Sequence, residues 1–201
     1  MKLLIATRNP NKLREIRAIL SVPGLDFVSL DNLPDLPEVE EDGLTFEANA
    51  GKKAATLARL SRLWALADDS GLEVDALGGE PGVRSARYAG EPVSYAANNA
   101  KLLRALQDVE ARRGRFRCVV ALSSPDAAIR MVEGCCEGTI LREEKGMLGF
   151  GYDPLFVPSG YAITFAEMDG DLKNSISHRA KALQRAIPLI ENWVMPSQQR
   201  C

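Results

Sequence analysis

The chain has 201 residues, 46% apolar and 26% charged. That is ordinary globular composition, and it excludes a disordered chain, a collagen and a coiled coil. With 25 Lys and Arg against 27 Asp and Glu, the net charge is −2, too weak an overall field for a protein that coats a nucleic acid polymer. Cys118, Cys135, Cys136 and Cys201 form no C-x-x-C pair, and there is one histidine. A structural zinc site is therefore not expected, and the cysteines read as thiols in a reducing compartment. The apolar start Met1–Ala6 is too short for a signal peptide, and no run approaches a membrane span. The expectation is a soluble cytoplasmic protein with no membrane partner.

In chain order, Lys2–Ala6 predicts a buried strand, and Leu13, Ile16 and Leu20 mark one face of a helix. Asp26–Leu30 suits a second strand. Asp31–Gly43, with two prolines and six acidic residues, reads as a loop. Thr45 can cap a helix to about Leu60 that buries Phe46, Ala50, Ala54 and Leu57. Leu63–Ala67 is strand-like, and the glycine-rich stretch Gly71–Gly90 reads as an ordered loop. Ser94 can cap a helix to about Asp108. Phe116–Ser123 and Ala127–Glu133 read as a hairpin around Ser124-Pro125-Asp126, with Gly134–Leu141 as a further strand. Gly146–Pro154 is a second glycine-rich loop. Ser177 can cap the last helix, with Leu183, Ile187, Ile190 and Val194 on one face and a kink at Pro188. The alternation predicts an α/β fold with a mixed sheet.

Two helix starts are basic where acidic residues are the rule. One begins Asn9-Pro10, a cap with proline at the first helical position, followed by Lys12, Arg14 and Arg17. The other begins Ser177-His178-Arg179, with Lys181 close behind. Basic side chains beside free backbone N–H groups suit an anion, and this reading is taken for Lys12 and for His178-Arg179. Arg14 and Arg17 read as solvated. Neither start is a P-loop, and Gly146, Gly149 and Gly151 do not have the dinucleotide spacing.

Asp68-Asp69-Ser70-Gly71 follows the strand ending at Ala67. Paired carboxylates beyond a strand end can hold Mg²⁺ or orient a water. The same residues also make a plain turn, and spacing does not separate the two. The run Glu38, Glu40, Glu41, Asp42 reads as a solvated loop. Phe150-Gly151-Tyr152-Asp153-Pro154 places two aromatics and a carboxylate where they could stack on and hydrogen-bond a base; a tight turn with two core aromatics is the competing reading.

Taken in order, Thr7-Arg8-Asn9-Pro10-Asn11-Lys12, Gly43-Leu44-Thr45-Phe46, Ala67-Asp68-Asp69-Ser70-Gly71-Leu72, Pro81-Gly82 with Ser85-Ala86-Arg87-Tyr88, Phe150-Gly151-Tyr152-Asp153-Pro154 and Ser175-Ile176-Ser177-His178-Arg179 resemble the inosine triphosphate pyrophosphatase family, the XTP/dITP diphosphatases, in its bacterial branch. The resemblance runs from about Leu3 to Ile187. It implies a long mixed central sheet flanked by helices in two lobes, with the active site in the cleft between them. It also implies a homodimer and an Mg²⁺-dependent hydrolysis of ITP, dITP or XTP to the monophosphate and pyrophosphate.

By position, the resemblance implies that Thr7, Arg8, Asn9, Pro10, Asn11 and Lys12 wrap the triphosphate, with Lys53 also facing it. Asp69 becomes the metal ligand and candidate base, with Ser70 on the substrate. Glu41 becomes the second metal ligand, against its reading as a solvated residue. Phe150, Gly151, Tyr152, Asp153, Lys173, Ser177, His178 and Arg179 form the base pocket. Arg8 stands where many relatives carry glycine, which raises the question of a positive φ there. The tail Met195–Cys201 lies outside the match and is given no role. Donors at the His178-Arg179 helix start would pair with a 6-keto purine and be left unpaired by adenine. A phosphatase that releases orthophosphate and a nucleotide sensor without chemistry are the competing functions. An RNA-binding protein is disfavoured by the weak charge.

Overall fold

The computed structural model describes residues 1–195. The tail from residue 196 onward lies outside the described residues, while Met195 is buried. Six strands form one mixed sheet: β1 (Lys2–Ile5), β2 (Asp26–Ser29), β3 (Trp64–Val74), β4 (Arg113–Ser123), β5 (Ile129–Ile140) and β6 (Phe156–Pro158), in the order β2-β1-β3-β4-β5-β6. β1 runs parallel to β2 and β3, with Leu3 opposite both Phe27 and Trp64, and β6 is antiparallel to β5. The helices are α1 (Pro10–Ile19), α2 (Phe46–Ser61), α3 (Tyr95–Ala105), α4 (Gly170–Ile176) and α5 (His178–Leu189).

Local chemistry sets most of these boundaries. The Asn9 side chain accepts from the N–H groups of Asn11 and Lys12, and Pro10 supplies the preset φ of the first helical position. Thr45 accepts from Ala48 N–H, and Ser94 from Ala97 N–H. Pro188 lies inside α5. It has no N–H to give to the preceding turn, and the chain beyond it widens into a π-helical turn over Ile190–Val194.

Three expectations are corrected. Asp68-Asp69-Ser70-Gly71 does not follow a strand; it lies within β3, which runs on to Val74. Its carboxylates are buried and find charged or amide partners there, so the segment need not turn out to water. Gly134–Leu141 is not a separate strand but the second half of β5. Gly170–Ile176, which has only two turns to show a period, forms the unforeseen α4, capped by Asp169.

The chain divides into two compact units, each with its own core. Unit 1 comprises residues 1–69, 118–134 and 179 onward. Leu3, Ile5, Ile16, Leu66, Val120, Leu183 and Ile190 pack at its centre. Unit 2 comprises residues 70–117 and 135–178. Its core is more aromatic: Phe116, Phe156 and Phe165 meet with ring centroids 4.8–6.0 Å apart, among Leu72, Leu102 and Ile140.

Candidate active site

In unit 1, the loop before α1 is ordered by its own side chains. Thr7 Oγ1 accepts from Asn9 N–H, and Asn9 Oδ1 accepts from Asn11 N–H at 3.0 Å and Lys12 N–H at 3.3 Å. Two of the backbone donors expected to serve an anion are thus already used by the cap, which leaves the Lys12 charge as the main attraction. Arg8 has no positive φ. Its guanidinium donates to the carbonyl of Leu36 at 2.9 Å, so the loop accommodates arginine without strain. Arg14 is exposed and donates to Asn11 Oδ1, and Arg17 is exposed, in keeping with their solvated reading.

Adjacent residues of a strand point to opposite faces, and β3 uses this to separate its two acids. Asp68, fully buried, takes the Lys12 ammonium at 3.2 Å and Arg179 Nη2 at 3.0 Å, both on Oδ2. Burial alone would push its carboxyl pKa up. The Lys12 and Arg179 charges outweigh that and hold it well below the usual carboxylate range. The same pairing keeps the buried Lys12 ammonium above its ordinary value despite desolvation. Asp69 accepts from Asn49 Nδ2 at 2.9 Å, and Asn49 Oδ1 in turn accepts from Gly43 N–H at 2.7 Å. Burial raises the Asp69 carboxyl pKa. Lys12 opposes that rise and Glu41 adds to it, and the net direction is up.

Lys53 stands one turn beyond Asn49 on α2, on the same face. Its buried ammonium is ion-paired with the half-buried Glu41. Glu41 is therefore not a freely solvated residue, which departs from the composition-based reading of its loop. The Lys52–Asp42 pair is exposed and contributes little. Asn49 and Glu15 were missed by sequence reasoning. Asn49 had a faint signal, a polar residue on the buried face of an otherwise apolar helix. Glu15 had one too, lying a turn after Lys12.

In unit 2, Asp153 organises the aromatic loop. Its Oδ2 accepts from Phe150 N–H at 2.8 Å and from the Lys173 ammonium at 2.6 Å, and both charged side chains are buried. The turn depends on Gly149. With φ +74, a Cβ there would lie 2.1 Å from Asp153 Oδ2. Gly151 also has a positive φ but faces open space. Phe150 is half-buried, with Lys173 Nζ 5.0 Å from its ring centroid and the Tyr95 ring 6.1 Å away. His178 is buried and stacks on Phe116 at 4.7 Å. Ser177 is buried between α4 and α5, and its N–H closes α4 on the Lys173 carbonyl. Ser70, the first residue of the unit, is half-buried within β3.

Two residues expected in the base pocket have partners within their own units. Tyr152 is buried, and its hydroxyl donates to the Ser85 carbonyl at 2.8 Å. That bond makes Tyr152 a strut to the helical turn Gly82–Arg87, and burial pushes the phenol pKa above its ordinary value. Arg179 belongs to unit 1, where its guanidinium donates to Asp68 and Glu15. A fully buried guanidinium needs carboxylate partners, and Asp68 and Glu15 serve as such.

A family model described as the Ham1 family matches residues 3–189. A Desulforamulus reducens protein named dITP/XTP pyrophosphatase is 55% identical over 94% of this chain and 96% of its own length. One of the same name from Geobacter sulfurreducens is 54% identical over 90% of this chain and 92% of its own. Among solved structures, a HAM1 protein from Coxiella burnetii aligns with a TM-score of 0.87 at 39% identity, covering 94% of this chain and 98% of that one. The Staphylococcus aureus Ham1 protein aligns at 0.85 and 39%, covering 95% and 98%. The matched residues run through both cores and every segment just described, and the chain belongs to the Ham1 family.

Proposed function

We propose that this chain hydrolyses non-standard purine nucleoside triphosphates, dITP and XTP among them, to the monophosphate and pyrophosphate. The observation that carries this reading is the 55% identity, over nearly the whole of both chains, to a protein named dITP/XTP pyrophosphatase. The side chains fit the chemistry. Lys12 and Lys53 offer two buried or nearly buried cations to a triphosphate. Phe150 offers an aromatic face to a base, and Asp153 holds Lys173 beside it.

Mg²⁺ is part of the reading. Among the described residues no group of three or more His, Cys, Asp or Glu side chains gathers as a metal cage. Mg²⁺ does not require one, since it binds through one or two carboxylates plus waters and substrate phosphates. Glu41 and Asp69 fit that mode: both are oxygen donors, and each carboxylate lies in the other's field. The ion, when bound, supplies charge neutralisation at the phosphates and lowers the pKa of a coordinated water. Asp69 orients the attacking water and accepts its proton. Asn49, by donating to one oxygen, fixes the rotamer of that carboxylate. Phosphates arriving at Lys53 compete with Glu41 for its ammonium.

The finer parts of the reading are a homodimer and a cytoplasmic location. No helix of the described residues is long and apolar enough to cross a membrane. Cys118, Cys135 and Cys136 carry no disulfide, which suits a reducing compartment. The deciding experiment incubates the protein with dITP and measures pyrophosphate and orthophosphate separately, with Mg²⁺ and with the metal chelated. Metal-dependent pyrophosphate supports the reading. Orthophosphate as the first product moves the assignment to a phosphatase, and binding without either product moves it to a sensor.

A further inference from the structure

Lys12 sits at one end of a buried chain of alternating charges within unit 1. Its ammonium meets Asp68 Oδ2 at 3.2 Å. The same oxygen takes Arg179 Nε at 3.2 Å and Nη2 at 3.0 Å. Arg179 Nη1 then donates to Glu15. The four side chains are at most 15% exposed. Both ends of the chain lie on α1, where Lys12 and Glu15 are three residues apart on one helical face. The middle members come from β3 and the start of α5.

The distribution of contacts matters. Lys12 and Arg179 both converge on Asp68 Oδ2, while its buried Oδ1 has no hydrogen-bond partner among the described residues. Lys12 and Arg179 therefore share one oxygen. Arg179 carries a full charge in a fully buried place, and without a second carboxylate it would draw Asp68 wholly to itself. Glu15 takes the far side of the guanidinium and fixes its orientation. Asp68 is thereby held where it can also reach Lys12.

We propose that Glu15 is a positioning residue for the reaction, acting through Arg179 and Asp68 to hold the Lys12 ammonium where the triphosphate needs it. This rests on the pyrophosphatase reading above. Glu15 touches no substrate in this account. Its effect passes entirely through Lys12, and that distinguishes it from a residue that only stabilises the fold. A charge displaced by about an ångström from a transferring group can cost on the order of a hundredfold in rate.

The test is a double-mutant cycle between Glu15 and Lys12, read as kcat and KM for pyrophosphate release from dITP. Wild type, E15Q, K12A and E15Q/K12A are compared, with circular dichroism confirming the fold of each. E15Q is expected to lower kcat by on the order of ten- to a hundredfold, with KM within about twofold of wild type. In the K12A background the same substitution is expected to cost nothing further. An unchanged kcat in E15Q overturns the proposal, as does an E15Q loss that persists undiminished in K12A. If E15Q does not fold, E15D serves: it keeps the charge but shortens the reach, and its loss of kcat must also vanish in K12A. If wild type releases no pyrophosphate, the parent reading fails, visibly in that one sample, and this proposal falls with it.

Discussion

Asp68 and Asp69 are neighbours in one strand with opposite electrostatic fates. Asp68 lies against Lys12 and Arg179 and is held ionised far below the usual carboxylate range. Asp69 points to the other face, receives one amide hydrogen bond from Asn49, and has its pKa raised by burial and by Glu41. Two carboxylates pushed apart in this way suit different work: a fixed counter-charge for the first and, in the proposed reaction, water activation for the second.

The split predicts distinct effects of substituting each acid. Asp69→Asn should fold like wild type and still bind dITP. Its kcat should fall by on the order of 10²–10⁴, the usual worth of a general base. Calorimetric titration with dITP beside a pyrophosphate assay checks both halves. An active Asp69→Asn would remove Asp69 from the chemistry.

Asp68→Asn should instead damage stability, because it leaves Arg179 and Lys12 short of a carboxylate; breaking a buried pair costs roughly 3–5 kcal/mol. The pH dependence has a definite sign. A folded pKa depressed below the ordinary 3.8 means that the unfolded chain binds this proton more readily. The stabilisation is therefore full above about pH 4 and is lost as the pH falls toward the folded value. The difference in unfolding free energy between wild type and Asp68→Asn should shrink steadily below pH 4. Urea melts from pH 7 down to pH 2.5 measure it, and a gap independent of pH would contradict the assignment.

Gly149→Ala should disturb the aromatic loop. The new Cβ would meet Asp153 Oδ2, and φ +74 disfavours any side chain. Strain of this kind costs about 1–3 kcal/mol. If the loop reads the base, KM for dITP should rise while hydrolysis at saturating substrate changes less. Thermal melts and steady-state kinetics give the two numbers.

Tyr152→Phe tests the strut. Losing the hydroxyl leaves the Ser85 carbonyl short of a donor, at a cost of roughly 1–3 kcal/mol. The preference for dITP over dGTP should be unchanged, since the buried hydroxyl already has its partner within the fold. A changed preference would show that the hydroxyl bears on base selection.

What the sequence disclosed was local chemistry. The α1 start is written in Asn9-Pro10, and the α2 and α3 starts in Thr45 and Ser94. These signals act within four residues, and each cap formed as read. The charges that keep β3 extended through Asp68 were not legible. Arg179 reaches Asp68 across 111 residues of chain, and Glu15 across 164. Without those partners, Asp-Asp-Ser-Gly reads as a turn. The destination of Arg179 was hidden for the same reason: adjacency to His178 suggested a shared task, but the two side chains pack in different units. Lys12, Asp69 and Asp153 were identifiable as candidates. Asn49 and Glu15, which hold other charged groups rather than announcing a motif, emerged only from the three-dimensional structure.

The central claim is selective pyrophosphate release, and the most direct measurement is kcat/KM for dITP, XTP, dGTP and dATP under one set of Mg²⁺ conditions, with pyrophosphate quantified. The account predicts efficient turnover of dITP and XTP and values lower by on the order of a hundredfold or more for dGTP and dATP. Equal turnover of all four would contradict a base-reading pocket, and no pyrophosphate from dITP would contradict the assignment itself.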